Sequence, residues 1–118
     1  MKRAFILILL HSGFLNGFCT SDNLQVSILT LEPGMETYTI FGHTAIRIRD
    51  TTSHTDRIYN FGSFDFDTPH FYWKFLKGDL NYYLSTSSFK TFMRSSGKDQ
   101  RKVWEQKLDL EAAEKQKI

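Results

Sequence analysis

Residues that favour turns interrupt the sequence about every ten positions, and this spacing limits what the chain can fold into. The clearest signals are Pro33-Gly34, the polar run 50–56, Gly62, Gly78 and the run 95–97. The segments between these signals are short, and each carries the apolar periodicity of either a strand or a helix. The sequence therefore predicts a domain of short strands and helices without repeats or linkers.

Alternating apolar residues predict four strands. Leu24–Leu31 alternates apolar and polar residues at its start, and residues 44–48 and 57–61 alternate as well. The polar run between the last two predicts a hairpin. In the first strand of this hairpin, Ile46 and Ile48 share one face, which we expect to pack into the core. Residues 80–84 show a similar pattern and predict a further strand.

Two segments carry helix end signals. The first helix is predicted to begin at Thr68-Pro69, with threonine as the N-cap and proline at the first helical position, and to end at Gly78. The second is predicted to begin at Ser87 or Ser88 and to end at Gly97. Residues 102–108 fit a strand or a helix equally well, and residues 110–118 have helical propensity.

The N-terminus has the pattern of an export signal. Lys2 and Arg3 precede an apolar run over residues 4–10, and small residues follow before Ser21. A basic start, a short apolar stretch and small residues near a cleavage point are typical of a secretory signal peptide. The apolar run is shorter than the ~20 residues of a membrane-spanning helix. We therefore predict a signal peptide over residues 1–21, a domain over residues 22–118, and a periplasmic location that includes association with the membrane.

Charge and cysteine content exclude several functions. The chain has 15 basic and 13 acidic residues, and two of the basic ones lie in the predicted signal, so 13 basic face 13 acidic residues in the domain. This neutral balance argues against nucleic-acid binding, which requires clustered Lys and Arg. The single cysteine is Cys19. If it leaves with the signal, the domain has no disulfide, no thiol nucleophile and no thiolate metal site.

The run 41–48 contains the strongest catalytic signal. His43 follows Gly42 at the start of a predicted strand, where an imidazole in a cleft can act as a general base. Arg47 lies on the same face of that strand and could bind an anionic head group. The structural alternative is a hydrogen-bonded histidine and a solvated arginine.

Two further segments are open to two interpretations each. Asp65 could orient His43, whereas Asp67 is more simply an acid near a helix N-terminus. The Trp, Tyr and Lys residues of 70–77 suit a membrane interface or an acyl-chain groove, although a helix that packs its aromatic side chains into the core is the commoner case. The His and Asp residues match no compact ligand spacing, so we predict neither a metal nor a cofactor.

Several motifs together resemble one bacterial family. They are Ser27-Ile28-Leu29-Thr30, Pro33-Gly34, Phe41-Gly42-His43-Thr44-Ala45-Ile46-Arg47 and Tyr59-Asn60-Phe61-Gly62-Ser63-Phe64-Asp65-Phe66-Asp67. On these motifs the chain resembles the Lnb N-terminal periplasmic domain family of lipoprotein N-acyltransferases, formerly a domain of unknown function. The likeness covers residues 24–118.

The resemblance implies an α+β fold with an antiparallel sheet, similar to part of a circularly permuted papain-like (NlpC/P60-like) domain. It also implies acyl transfer from a phospholipid to the N-terminus of a lipoprotein by a Cys-His mechanism, with His43 as the base. A phospholipid, a lipoprotein N-terminus and a membrane surface are thus the expected partners, and lipoprotein biogenesis the expected process. The residues we expect at the substrate are Gly42, Thr44, Arg47, Asn60, Tyr72 and Trp73.

The sequence also departs from the family pattern. That pattern continues into a segment with an Asn-Cys pair, which we take to supply the nucleophile, and these 118 residues contain no such segment. We therefore expect a partial or inactive acyltransferase domain. The alternative is a non-catalytic periplasmic module that binds lipid or lipoprotein.

Overall fold

The computed structural model describes residues 23–118, and the predicted signal peptide lies outside them. Five strands and three short helices make up this region. In chain order they are β1 (Leu24–Leu31), β2 (His43–Asp50), β3 (Thr55–Ser63), α1 (Phe71–Lys77), β4 (Tyr83–Ser88), α2 (Phe89–Lys98), β5 (Val103–Lys107) and α3 (Ala112–Lys115). The expected α+β class with an antiparallel sheet and a few helices is confirmed.

The strands form one sheet in the order β4-β3-β2-β1-β5, and every neighbouring pair is antiparallel. The predicted β2–β3 hairpin is present. At its turn, the Asp50 carboxylate accepts hydrogen bonds from the Thr52 amide at 2.8 Å and the Ser53 hydroxyl at 2.7 Å. These bonds, the serine hydroxyl first, lower the pKa of the exposed Asp50 carboxyl below its usual value.

The core lies on one face of the sheet, under α2. Paired residues of antiparallel strands point to the same side, so Leu29 of β1, Ala45 of β2 and Asn60 of β3 share a face. Leu29, Leu31, Ala45, Ile58 and Phe92 form the buried cluster, and Phe89 and Val103 pack against it.

The expectation that Ile46 and Ile48 face this core is wrong. Both are half-buried on the opposite face, whereas Ala45 is only 1% exposed. Strand alternation defines two faces but does not determine which one a helix covers. Here the aromatic residues of α2 cover the face of Ala45. As a result, His43 and Arg47 lie on the same side of the sheet as the core.

The structure agrees with the predicted ends of one helix more closely than with those of the other. Helix α2 begins as expected, since the Ser88 hydroxyl caps it by accepting the Thr91 amide at 3.1 Å, and it ends one residue beyond Gly97. Helix α1 ends at Lys77 with Gly78 as its C-cap, as expected, but it begins at Phe71, not at Pro69. The predicted N-cap, Thr68, instead donates its amide to the Asp65 carbonyl in a turn.

Three remaining predictions are resolved in the last part of the chain. Residues 102–108 are a strand, since β5 pairs with β1. The strand predicted over residues 80–84 begins only at Tyr83, and Leu80 is buried ahead of it. The predicted C-terminal helix is reduced to the single turn α3.

Gly42 is required by the backbone at the start of β2. Its φ is +73°, and a Cβ at this position would lie 2.7 Å from the carbonyl oxygen of Leu31. We predict that Gly42→Ala lowers the free energy of unfolding by at least about 2 kcal/mol, because positive φ and a backbone clash add. Gly97→Ala is the control, since a Cβ there meets nothing within 4 Å in a helix.

Urea unfolding of both variants measures the difference. The control should match the wild type or gain about 0.5–1 kcal/mol, because alanine favours the helix over glycine. A Gly42→Ala protein as stable as the wild type would show that the strand can start without this glycine.

Candidate functional site

A histidine and an asparagine from adjacent strands form a hydrogen-bonded pair. His43 is the first residue of β2, and Asn60 lies in β3, where it pairs with Ala45. The His43 Nε2 and Asn60 Oδ1 atoms are 3.2 Å apart, and both residues are half-buried. An amide oxygen only accepts, so Nε2 donates its hydrogen to Asn60 and Nδ1 retains a lone pair. In this arrangement Nδ1 is the acceptor nitrogen of the imidazole.

A cavity of about 150 Å³ adjoins this pair. Its walls come from the loop before β2, the end of β3 and the segment before β5. The lining residues are Tyr38, Thr39, Gly42, His43, Gly62, Phe64 and Arg101. Gly42 and Gly62 both have positive φ, and neither adds a side chain to the cavity. The imidazole thus faces a space in which a small reacting group can sit.

Asp65, the predicted orienting residue, does not contact His43. Its carboxylate accepts the Asp67 amide at 2.9 Å and closes a turn before α1. Among the described residues the hydrogen-bond partner of the His43 ring is Asn60. This partner lies on the neighbouring strand, at a position predicted only as a substrate contact.

Arg47 is held by four hydrogen bonds within the sheet. Its Nε and Nη2 atoms donate to the Asp56 carboxylate at 2.8 and 2.6 Å, and Nη1 donates to both oxygens of Glu105 at 3.1 and 3.2 Å. The guanidinium carbon also lies 3.5 Å from the centre of the Phe89 ring. The side chain is 12% exposed, and its hydrogen bonds to Asp56 are the main cause of its raised pKa. Binding of a head group by Arg47 stays a prediction, because all three guanidinium nitrogens already have protein partners.

The other predicted substrate residues are spread over the surface. Thr44 is exposed on the face opposite His43. Tyr72 and Trp73 are 58% and 62% exposed on α1. Phe64 connects α1 with the His43 cavity, since its ring lines the cavity and lies 5.3 Å from the ring of Phe71.

Sequence reasoning did not identify Arg101 as a site residue. Its Nε donates to the Glu32 carbonyl at 2.7 Å, which fixes the side chain beside the cavity. Its Nη2 is buried without a hydrogen-bond partner. Arg101 lies 58 positions from His43 in the sequence, directly before the segment 102–108, which fitted a strand or a helix equally well. The pairing of β5 with β1 places the segment before β5, including Arg101, beside the cavity.

Within residues 23–118, no helix is long and apolar enough to cross a membrane. The same residues contain no group of three or more His, Cys, Asp or Glu side chains that could hold a metal ion.

The fold and the site define a class of protein: a small antiparallel α+β domain that places a histidine–asparagine pair beside a cavity. Residues 14–118 match the family model described as the Lnb N-terminal periplasmic domain, and the chain belongs to this family. The family name agrees with the predicted periplasmic location. No curated protein and no solved structure matches the chain.

The Arg47 contacts generate a stability prediction. Arg47→Lys removes the planar donor set that reaches Asp56 and Glu105 together. We expect a loss of about 1–2 kcal/mol in the free energy of unfolding, because both carboxylates are roughly a third exposed and solvent screens part of the interaction. The matched control is Arg49→Lys, an exposed arginine on the same strand, which should change stability by less than about 0.5 kcal/mol. Equal urea midpoints for the two variants would contradict a structural role for Arg47.

Proposed function

We propose that this domain carries the general base of an acyltransferase that acylates the N-terminus of a lipoprotein. The observation that carries the proposal is the hydrogen bond from His43 to Asn60 beside a cavity. In Cys-His-Asn enzymes an amide likewise orients the imidazole that activates a thiol. Membership of the Lnb family supports the same chemistry. Residues 1–21 are, in this proposal, the signal that directs the domain to the periplasm.

The proposed reaction has two acyl-transfer steps. In the first, His43 Nδ1 takes the proton of a thiol, the sulfur bonds to the acyl carbon of a glycerol ester, and the carbon–oxygen ester bond breaks. The proton on His43 passes to the departing glycerol oxygen. In the second, the amine of a lipoprotein's N-terminal cysteine bonds to the acyl carbon, the thioester bond breaks, and the amine proton returns to the sulfur through His43.

The thiol in this scheme comes from outside the described residues, because the single cysteine of the sequence is Cys19. We propose a phospholipid as the acyl donor. A lipoprotein that already carries a diacylglyceryl group offers the same kind of ester, so the two donors must be distinguished by experiment.

The activity test uses the protein encoded by the complete reading frame that contains these residues. It is incubated with a phospholipid labelled in its acyl chain and a diacylglyceryl lipopeptide with a free amino terminus. A second reaction carries the label only in the lipopeptide. We predict that His43→Asn lowers formation of the labelled amide by about 10²–10⁴-fold, because the general base is lost. His54→Asn is the matched control, since His54 lies exposed in the β2–β3 turn with φ +54°, and should retain activity.

Variants of Asn60 distinguish an effect on the orientation of the His43 imidazole from an effect on folding. Asn60→Ala should lower the rate by roughly 10²-fold without unfolding the protein, because the imidazole loses its fixed orientation. Asn60→Asp keeps an oxygen that can accept the Nε2 hydrogen, so it should retain most of the activity that Asn60→Ala loses. Full activity in His43→Asn would refute the proposal. Label transfer from the lipopeptide alone would refute only the phospholipid as donor.

A second function, lipid binding without catalysis, is favoured by the exposed surface of α1. Tyr72, Trp73 and Leu76 are each more than half exposed, and the Lys77 ammonium lies 4.9 Å from the Trp73 ring. Exposed aromatic rings with lysines on one short helix are suited to the interface of a bilayer. Phe64 joins this helix to the His43 cavity. In this second proposal, α1 contacts the membrane with or without subsequent acyl transfer.

The two tryptophans of the chain test the membrane contact. Trp73 lies on α1, and Trp104, which is 64% exposed, lies on β5 and serves as the internal control. We predict that vesicles of phosphatidylglycerol and phosphatidylethanolamine with brominated acyl chains quench Trp73 in the Trp104→Phe protein. They should leave Trp104 unquenched in the Trp73→Phe protein. Equal quenching of both, or of neither, would refute contact through α1.

A further inference from the structure

The two half-buried arginines near the sheet differ in how their charge is compensated. Arg47 pairs with two carboxylates. Arg101, by contrast, forms no ion pair within residues 23–118, where its Nε donates to the Glu32 carbonyl and its Nη2 is buried without a partner. A cation held in place without a counter-charge is unusual inside a small domain, because a buried donor without an acceptor costs about 1–3 kcal/mol. Such groups are a reason to look for a ligand.

The surroundings of Arg101 indicate the chemical class of the ligand that it could bind. It lines the same cavity as His43, together with the rings of Tyr38 and Phe64. A second cavity of about 230 Å³ also borders Arg101, and its wall carries Glu36, Asp99 and Lys98, none of which pairs with the guanidinium. The two carboxylates balance the charges of Lys98 and Arg101, so this wall offers no surplus positive charge to attract small free anions. A ligand that carries an oxygen acceptor on an apolar chain fits these surroundings better than a small free anion, because the rings of Tyr38 and Phe64 can pack against the chain.

We infer that Arg101 binds the acyl carbonyl oxygen of a fatty-acyl substrate and stabilises the negative charge that develops on it. The inference rests on the proposed acyl transfer at His43. When sulfur bonds to the acyl carbon, the π electrons of the carbonyl move onto its oxygen. They return when the ester carbon–oxygen bond breaks. Arg101 keeps its protons throughout, because guanidinium does not deprotonate in proteins.

A desolvated donor that is fixed before the reaction is the arrangement that stabilises such charge most effectively. The Glu32 carbonyl holds Arg101 Nε in place. Removal of one donor of this type lowers the turnover rate by about 10²–10³-fold. The inference therefore adds to the site a residue that acts on the transition state and not on proton transfer.

Binding of octanoate tests the inference without turnover. The carboxylate of octanoate is a charged analogue of the acyl carbonyl, and octanol is the uncharged control with the same chain. Titration of the purified protein is followed by calorimetry and by the NMR signals of the His43 ring. We expect Arg101→Gln to weaken octanoate binding at least tenfold and to leave octanol binding unchanged. Arg94→Gln, an exposed arginine on α2, should bind octanoate like the wild type.

Thermal unfolding of each variant identifies a loss of binding caused by misfolding. If Arg101→Gln is unfolded, Arg101→Lys replaces it. Lysine keeps the charge but has one nitrogen in place of the separate Nε and Nη2 donors, so it should bind octanoate more weakly than the wild type. Equal octanoate affinity in a folded Arg101 variant overturns the inference. So does acetate binding as tight as octanoate binding, which would indicate a small-anion site, and so does failure of the wild type to bind octanoate at millimolar concentration.

The activity assay is a second, independent test of the role of Arg101. In the complete protein, Arg101→Gln should lower kcat by about 10²–10³-fold with little change in KM. If His43→Asn proves fully active, the proposed base is wrong. The octanoate result then still decides whether Arg101 binds an acyl carboxylate, so the two failures can be distinguished.

Discussion

The guanidinium of Arg47 joins parts of the chain that are far apart in sequence. It lies on β2, its two carboxylate partners lie on β3 and β5, and the ring beneath it belongs to α2. A planar cation with five donors is well suited to connecting several elements, because each nitrogen can serve a different acceptor. Compensated in this way, the charge can lie close to the small core of Leu29, Ala45 and Ile58 without a large desolvation penalty.

The geometry of the candidate site depends on backbone features more than on packing. Gly42 lets the chain enter β2 with positive φ, directly against the carbonyl of Leu31. This entry places His43 at the first strand position, from which its ring reaches Asn60 on the neighbouring strand. The imidazole is therefore positioned by a glycine on one side and by the strand register on the other. Neither requires the side chain itself to be buried in the core.

Local patterns predicted much of the fold. Strand β1, the β2–β3 hairpin and the start of α2 at Ser88 are all present, because each depends on residues that are close in sequence. The family motifs were also sufficient for the family assignment. The predictions that failed required information about distant contacts. Ile46 and Ile48 alternate like core residues, but α2 packs on the other face of the sheet, the face of Ala45.

The difference between local patterns and distant contacts also explains which residues of the candidate site could be predicted. His43 was identifiable because a glycine and a strand pattern flank it. Asp65 was the predicted partner, whereas the hydrogen bond of the ring goes to Asn60, which was expected only to touch substrate. From the sequence, Arg47 was expected to bind a ligand. In the structure it pairs with the carboxylates of Asp56 on β3 and Glu105 on β5. Arg101 has no local signature, and it reaches the cavity through a strand pairing that no short-range pattern predicts.

That pairing has a kinetic consequence. β1 and β5 are the most distant partners in the sheet, since Leu31 pairs with Val103, 103 − 31 = 72 positions later, and Ser27 pairs with Lys107, 107 − 27 = 80 positions later. Contacts of such high sequence separation close slowly, because a long loop must first be ordered. The cavity beside His43 includes Arg101 and is therefore complete only after β5 has joined the sheet. A partly folded chain in which β5 has not yet paired with β1 would therefore hold an unfinished site.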